Sequence, residues 1–223
     1  MTRPSGPPGR DCPRCARLVA FRRSWRAQEP DWFNAPVDSF GPSEARLLIV
    51  GLAPGLRGAN RTGRPFTGDY AGDLLYATLV EFGFARGNYA ARADDGFELI
   101  DCRITNAVRC VPPNNKPTPE EITTCRDFLK VTIAEMNNLR VVVALGRIAH
   151  ESFVAATGAR RSQFPFAHGQ MHALPALTLM DSYHCSRYNT NTGVLTPQMF
   201  RKVIGQAREL IDVGRQSAFA ATP

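Results

Sequence analysis

The chain has 223 residues, 43% hydrophobic and 21% charged, long enough to bury the core of one α/β domain without further support. Its apolar runs fall far short of the roughly 20 residues of a membrane span, and the start M-T-R-P-S-G-P-P-G-R lacks the apolar centre of a secretory signal, so a cytoplasmic protein is expected. Net charge is +7 with a pI near 9.4, and arginine far outnumbers lysine, which favours a polyanionic partner held by bidentate phosphate contacts.

Residues 1–11, rich in Pro, Gly and Arg, read as a disordered lead-in. Cys12-Pro13-Arg14-Cys15 follows, then a basic helical stretch over 18–28 and an irregular connection over 29–43 anchored by Trp32 and Phe33. The apolar run at 46–50 predicts a buried strand. It leads into V-G-L-A-P-G-L-R-G-A-N-R-T-G-R-P-F-T-G-D over 50–69, where Gly51, Pro54, Gly55 and Gly58 break the chain into a loop that a ligand can approach closely. A loop beyond the C-terminal end of a strand is where an open α/β sheet places its ligand. Arg57, Arg61 and Arg64 supply positive charge, Phe66 a flat face and Asp69 a carboxylate, which suits a phosphate-bearing substrate with a planar base. The loop is neither a Walker motif nor G-x-G-x-x-G.

Helical spacing follows Asp69 and ends at Gly83; residues 87–97 read as a polar loop, and 98–108 as a strand with Asn106 near its end. Pro112, Pro113 and Pro117 make 110–117 irregular. Thr118-Pro119-Glu120-Glu121 is a capping-box start for a helix over 119–137. A buried strand is expected at 140–145, a helix at 147–156, a loop at 157–173, a short strand at 177–180, a loop at 181–193 and a last helix at 197–213. Strands alternating with helices predict an α/β fold: a central, mostly parallel sheet flanked by helices on both faces. The whole of 1–223 is expected to form a single domain.

Six cysteines in such a chain argue for metal or redox chemistry rather than a disulfide framework. Cys12 and Cys15, with Cys110 and Cys125, could hold Zn²⁺ or a [4Fe–4S] cluster, and the missing second C-x-x-C tilts the spacing towards iron–sulfur. Cys102 reads as a core thiol, and Cys185, beside His184, lacks an apparent base to make it a nucleophile.

Taken together, G-L-A-P-G, G-A-N-R-T-G-R-P-F-T-G-D, I-T-N-A-V-R-C-V-P-P-N-N-K-P, V-V-V-A-L-G-R-I-A-H and Y-H-C-S-R-Y-N-T-N-T-G resemble the iron–sulfur uracil-DNA glycosylases, specifically family five, or type B. Family four carries an acid after the first glycine; here Leu52 and Ala53 follow Gly51, which is the family-five pattern. The resemblance implies a three-layer α/β/α fold. It also implies a hydrolase that flips uracil, and other deaminated bases such as hypoxanthine, out of DNA and cuts the N-glycosidic bond for base excision repair. In that light Phe66 would stack on the base, Asn106 would read its edge, and Gly51 and the backbone of Leu52 and Ala53 would face it. His184 would donate to uracil O2, and Asp69 would stabilise the cationic sugar and orient water, with Asp73 as the competing carboxylate. Arg61, Arg64, Asn114, Asn115, Lys116, Ser186, Arg187 and Tyr188 would contact DNA. Cys12, Cys15, Cys110 and Cys125 would hold a [4Fe–4S] cluster as a structural staple, and a monomer is expected. The rival readings are a non-catalytic DNA-binding module stapled by iron–sulfur or zinc, and a redox regulator acting through its cluster.

Overall fold

The computed structural model describes Pro4 and residues 6–220, with side chains through Val213. A five-stranded sheet runs in the order β4-β1-β5-β7-β6, with β1 Leu47–Gly51, β4 Cys102–Asn106, β5 Val141–Leu145, β6 Met171–Ala173 and β7 Thr178–Ser182. All neighbouring pairs are parallel except β6 with β7. Every residue of β1 and β5 is buried, as a parallel sheet covered on both faces requires. Leu47 and Ile49 face a cluster with Leu75 and Leu79 of α3 (Tyr70–Glu81) and Phe200 and Ile204 of α7 (Pro197–Ala220). Leu48 and Val50 face a second cluster with Leu129 of α4 (Pro119–Glu135) and Phe153 of α5 (Arg147–Ala156). The result is three layers, α/β/α. Among the described residues, no helix is long and apolar enough to cross a membrane.

Local signals held where they were strong. Thr118 caps α4 through the Glu121 amide, and the Glu121 carboxylate returns to the Thr118 amide, at 3.2 and 2.8 Å. Arg17 of α1 (Ala16–Gln28) pairs with that same Glu121 at 2.7 Å, tying the first helix to α4. The strand expected over 98–108 is instead broken. Asp101 takes φ +54° and its carboxylate accepts from the Arg46 amide and guanidinium, so Glu98–Leu99 (β3) turns away to pair with Ala85–Arg86 (β2). β6 and the short helices α2 (Ala59–Thr62) and α6 (Arg187–Asn191) occupy stretches expected to be loop. Of the lead-in, Met1–Arg3 and Ser5 lie outside the described residues, whereas Asp11 pairs with Arg26 at 2.5 Å and the Cys12 amide donates to the Gly9 carbonyl.

Arg64, expected on DNA, is a correction. It is 5% exposed, forks onto Asp95 at 2.7 and 2.8 Å, and sits within 6 Å of the rings of Phe40, Tyr76, Tyr89 and Phe97. The guanidinium holds the Asp95 carboxyl well below the usual carboxylate range, and Asp95 in turn raises the already high Arg64 pKa against the opposing effect of burial. Nothing of Arg64 is left for a phosphate.

On β7, Asp181 accepts from His150 Nδ1 at 2.6 Å and from His172 Nε2 at 3.0 Å, all three buried. His150 Nε2 faces the Phe164 carbonyl at 2.8 Å, so both its ring nitrogens meet acceptors and the ring is held as an imidazolium. Burial alone would lower the His150 pKa; the bond to Asp181 and its charge outweigh that and raise it.

Two outcomes follow from these contacts. Arg64→Ala leaves Asp95 buried and unpaired and costs about 3–5 kcal/mol in urea unfolding, while Arg61→Ala, at an exposed position, unfolds at the wild-type midpoint. Because the folded pKa of His150 is raised, its stabilisation is complete below the unfolded value of about 6.5 and fades as pH rises through the folded value. The stability gap between wild type and His150→Gln should therefore shrink with rising pH; a gap that widens in urea titrations above neutrality would contradict the pairing.

Candidate active site

The ends of β1 and β4 meet at one point: Gly51 pairs with Asn106 across the ladder. From there the 52–69 loop wraps a cleft of about 720 Å³ lined by Leu52, Ala53, Phe66, Asp69, Asn106 and His184. Gly51 is needed for space. A Cβ there would strike Asn106 Oδ1 and lie 2.6 Å from Phe66 Cζ.

Phe66 is 6% exposed and adopts φ +53°, a strained setting for a residue with a side chain. Two tyrosines hold it there. Tyr76 Oη donates to the Pro65 carbonyl at 2.5 Å and Tyr89 Oη to the Phe66 carbonyl at 3.2 Å, while the Gly68 amide donates back to Tyr89 Oη. Gly72 packs on the Phe66 carbonyl so closely that a Cβ would overlap it.

Asp69 is the N-cap of α3 and accepts from the Gly72 amide at 3.3 Å. Gly55 and Gly58 form its niche: a Cβ at Gly58 would stand 2.5 Å from Asp69 Oδ2, and one at Gly55 3.1 Å. Burial raises the Asp69 pKa, partly offset by the amides of Gly72 and Ala71. The carboxylate is thus partly desolvated yet held at a helix N-terminus that favours its charge. Asp73, one turn on, is exposed and does not line the cleft.

His184 lies just past β7, its ring stacked against Phe66 with centroids 5.8 Å apart and planes 28° apart. Burial pushes its pKa down to about 4, so the ring is neutral at physiological pH. Its Nδ1 is buried without a partner, as is Asn106 Oδ1. Such orphans are costly in a folded protein and commonly mark where a ligand binds. Cys185 is not a nucleophile: it is fully buried, its thiol donates to the Ala71 carbonyl at 3.5 Å, and burial pushes its pKa up to about 12.

Of the residues expected on DNA, Ser186 and Arg187 line the cleft, as does Asn115; Arg61, Asn114, Lys116 and Tyr188 are exposed outside it. Tyr188 is 74% exposed. Arg57 and Tyr70 also line the cleft, with the Arg187 guanidinium 5.3 Å from the Tyr70 ring. Arg57 is legible in the sequence as one of the loop's positive charges; for Tyr70 the only sequence signal is its place directly after the 50–69 loop.

Cys12, Cys15, Cys110 and Cys125 come together, all free, around a small cavity of about 20 Å³ between α1, α4 and the 107–111 segment. Among the described residues, the ligand atoms of His150, His172 and Asp181 also lie within 4.8 Å of one another. Four free thiols gathered at one cavity are a donor set that fits Zn²⁺ or an iron–sulfur centre. Cys102 stands apart, fully buried in β4.

The family model described as the uracil DNA glycosylase superfamily matches residues 38–208. A type-5 uracil-DNA glycosylase of Thermus thermophilus is 47% identical over 207 residues, covering 89% of this chain and 93% of that protein. One from Pyrobaculum aerophilum is 37% identical over 201 residues, 88% of each chain. A type-4 enzyme of Thermotoga maritima matches over only 115 residues, at 42% identity, covering 51% of this chain and 52% of that protein. A fold and a cleft of this construction, matched along nearly their whole length by type-5 proteins, place the chain in the uracil DNA glycosylase superfamily, in its type-5 branch.

Proposed function

We propose that this chain is a monofunctional DNA repair glycosylase that flips uracil from DNA, hydrolyses the N-glycosidic bond and leaves an abasic site. The observation that carries this reading is the pair of buried, unpartnered atoms, Asn106 Oδ1 and His184 Nδ1, beside the Phe66 ring in one cleft with Asp69. Uracil stacked on Phe66 offers N3–H to Asn106 Oδ1 and accepts the Asn106 amide at O4. Cytosine presents the reverse pattern, so one amide discriminates between them. The Gly51–Ala53 backbone borders the base.

As the bond breaks, its electron pair leaves with the base and negative charge grows on uracil O2. A neutral His184 donates a hydrogen bond there, an interaction stronger in the transition state than before it. Ionised Asp69 faces the positive sugar, orients the water whose oxygen joins C1′ and takes the proton that this water gives up, passing it on to solvent. Uracil departs as a stable anion, so no second carboxylate is required to protonate it. The absence of an acid after Gly51 and the size of the cleft support acceptance of other deaminated bases such as hypoxanthine.

Arg57, Arg61, Asn114, Asn115, Lys116, Ser186 and Arg187 contact the DNA backbone in this reading, and exposed Tyr188 fills the gap left by the flipped base. Cys12, Cys15, Cys110 and Cys125 hold a [4Fe–4S] cluster, which when bound fastens the N-terminal segment to α4 and contributes folding energy. The protein acts as one domain, 1–223, in the cytoplasm and as a monomer. The rival of a non-catalytic DNA-binding module gives no reason for two orphaned polar atoms beside a strained aromatic ring.

The decisive test is single-turnover cleavage of a labelled duplex carrying one uracil, with alkali to reveal abasic sites. Asp69→Ala and His184→Ala should each slow cleavage by on the order of 10²–10⁴-fold. Wild type that binds DNA but leaves uracil and hypoxanthine intact would give the binding module its place. The pH profile should lose rate only on the acid side, as Asp69 protonates above its ordinary 3.8. An inflection near the ordinary histidine value that vanishes in His184→Ala would contradict the neutral ring. Gly51→Ala, which drives a methyl into Asn106 and Phe66, should raise KM for uracil DNA by about tenfold or more while the far-ultraviolet circular dichroism stays unchanged.

A further inference from the structure

Two buried arginines border the four-cysteine cavity and have no acid within ion-pair distance. Arg22 of α1 is 2% exposed; its Nη1 lies 3.2 Å from Cys110 Sγ and its Nη2 donates to the Cys12 carbonyl at 3.0 Å. Arg109 is equally buried; its amide donates to Cys125 Sγ at 3.2 Å, and its guanidinium reaches the Val37 carbonyl and Thr132 Oγ1. The Nε of each has no partner. Among the described residues neither forms an ion pair: Arg17 pairs with Glu121, Arg14 with Asp127 and Arg103 with Glu135, leaving Arg22 and Arg109 outside every pair. Asp38 and Glu135 act on Arg109, and exposed Asp11 on Arg22, only from beyond ion-pair distance.

A guanidinium does not deprotonate in a protein, so a buried one needs an anion nearby or imposes its full desolvation penalty. The Arg22 guanidinium lies against one of the four thiols, and Arg109 meets another through its backbone amide while its charged end is bonded to Val37 and Thr132 beside the site. Four thiolates around a [4Fe–4S]²⁺ core, or around Zn²⁺, carry a net charge of −2. The two guanidinium charges sum to +2.

We propose that Arg22 and Arg109 are the counter-charges of the four-cysteine centre, and that Arg22 also hydrogen-bonds the Cys110 sulfur. This rests on the reading of the four cysteines as ligands. Both arginines are positioning residues: they touch no substrate. They make retention of the centre a condition of a comfortably folded N-terminal segment, because without it two cations stand unanswered in the interior. With an iron–sulfur cluster in place, positive charge and an N–H donor at a ligating sulfur favour the more negative, reduced state, and so raise the reduction potential.

The test uses full-length protein as purified anaerobically, as wild type, Arg22→Gln, Arg22→Lys and Arg109→Met. Four quantities are read: iron, acid-labile sulfide and zinc per chain, the rate of metal release to a chelator, and the midpoint potential on an electrode. Arg22→Gln and Arg109→Met should release metal roughly 10–100-fold faster than wild type and shift the potential downwards. Arg22→Lys, which keeps the charge, should stay close to wild type in both. If Arg22→Gln does not fold, Arg22→Lys decides: release as fast as from an uncharged variant at Arg109 overturns the proposal. Neutral variants with wild-type release and potential also overturn it. Wild type containing zinc but no sulfide removes the iron–sulfur reading, yet the release rates still judge the counter-charges. Wild type containing neither metal sinks the cysteine reading and this proposal together, while uracil cleavage remains a separate question.

Discussion

Much of the molecule hangs on one buried ion pair. Arg64 forks onto Asp95 inside a box of four aromatic rings, and the chain on its C-terminal side has little freedom left. Pro65 and Phe66 are pinned through their carbonyls by Tyr76 and Tyr89, two walls of that same box. A non-glycine residue at positive φ survives only where its surroundings over-determine it. Here they do, and the strained Phe66 is followed within three residues by the N-cap carboxylate of α3. Ion pair, aromatic box, stacking ring and carboxylate form one continuous stretch, so the precision of the cleft is inherited from the core.

The glycines of the loop are best understood as room for the protein's own functional atoms. Gly51 yields to Asn106 and Phe66, and Gly55 and Gly58 to the Asp69 carboxylate, as Gly72 of α3 does to the Phe66 carbonyl. Only Gly63 and Gly68 among the loop glycines are placed at positive φ, where backbone freedom is the reason. A glycine-rich loop beside a ligand site is easily taken for one that hugs the ligand. This one hugs its own side chains, and the ligand meets what they present.

Sequence patterns made the layered fold legible because parallel strands buried on both faces are nearly all apolar, and because the Thr118–Glu121 box marks the start of α4 to the residue. Phe66, Asp69, Asn106 and His184 were legible as a set through the motifs that resemble family-five uracil-DNA glycosylases, and one cleft is lined by all four. Arg64 was misread for a physical reason. Composition shows a charge but not its partner, and Asp95 lies 31 residues on, in a stretch that reads as polar loop. The His150–His172–Asp181 cluster was invisible for the same reason, assembled only when α5, β6 and β7 come together. Strands of two or three residues, such as β2, β3 and β6, carry no period to detect. The turn at Asp101 depends on Arg46, 55 residues away.

Asn106 and Cys110 are separated by three residues, and all three of the intervening amides are committed. Ala107 donates to the Gly51 carbonyl, Val108 to the Leu52 carbonyl and Arg109 to Cys125 Sγ. Inserting or deleting a single residue there would throw every one of these donors out of step, and would turn either the amide or the thiol away from its station. This stretch should therefore keep a constant length through evolution even where its side chains drift, a ruler between the part of the molecule that meets a base and the part that gathers sulfur.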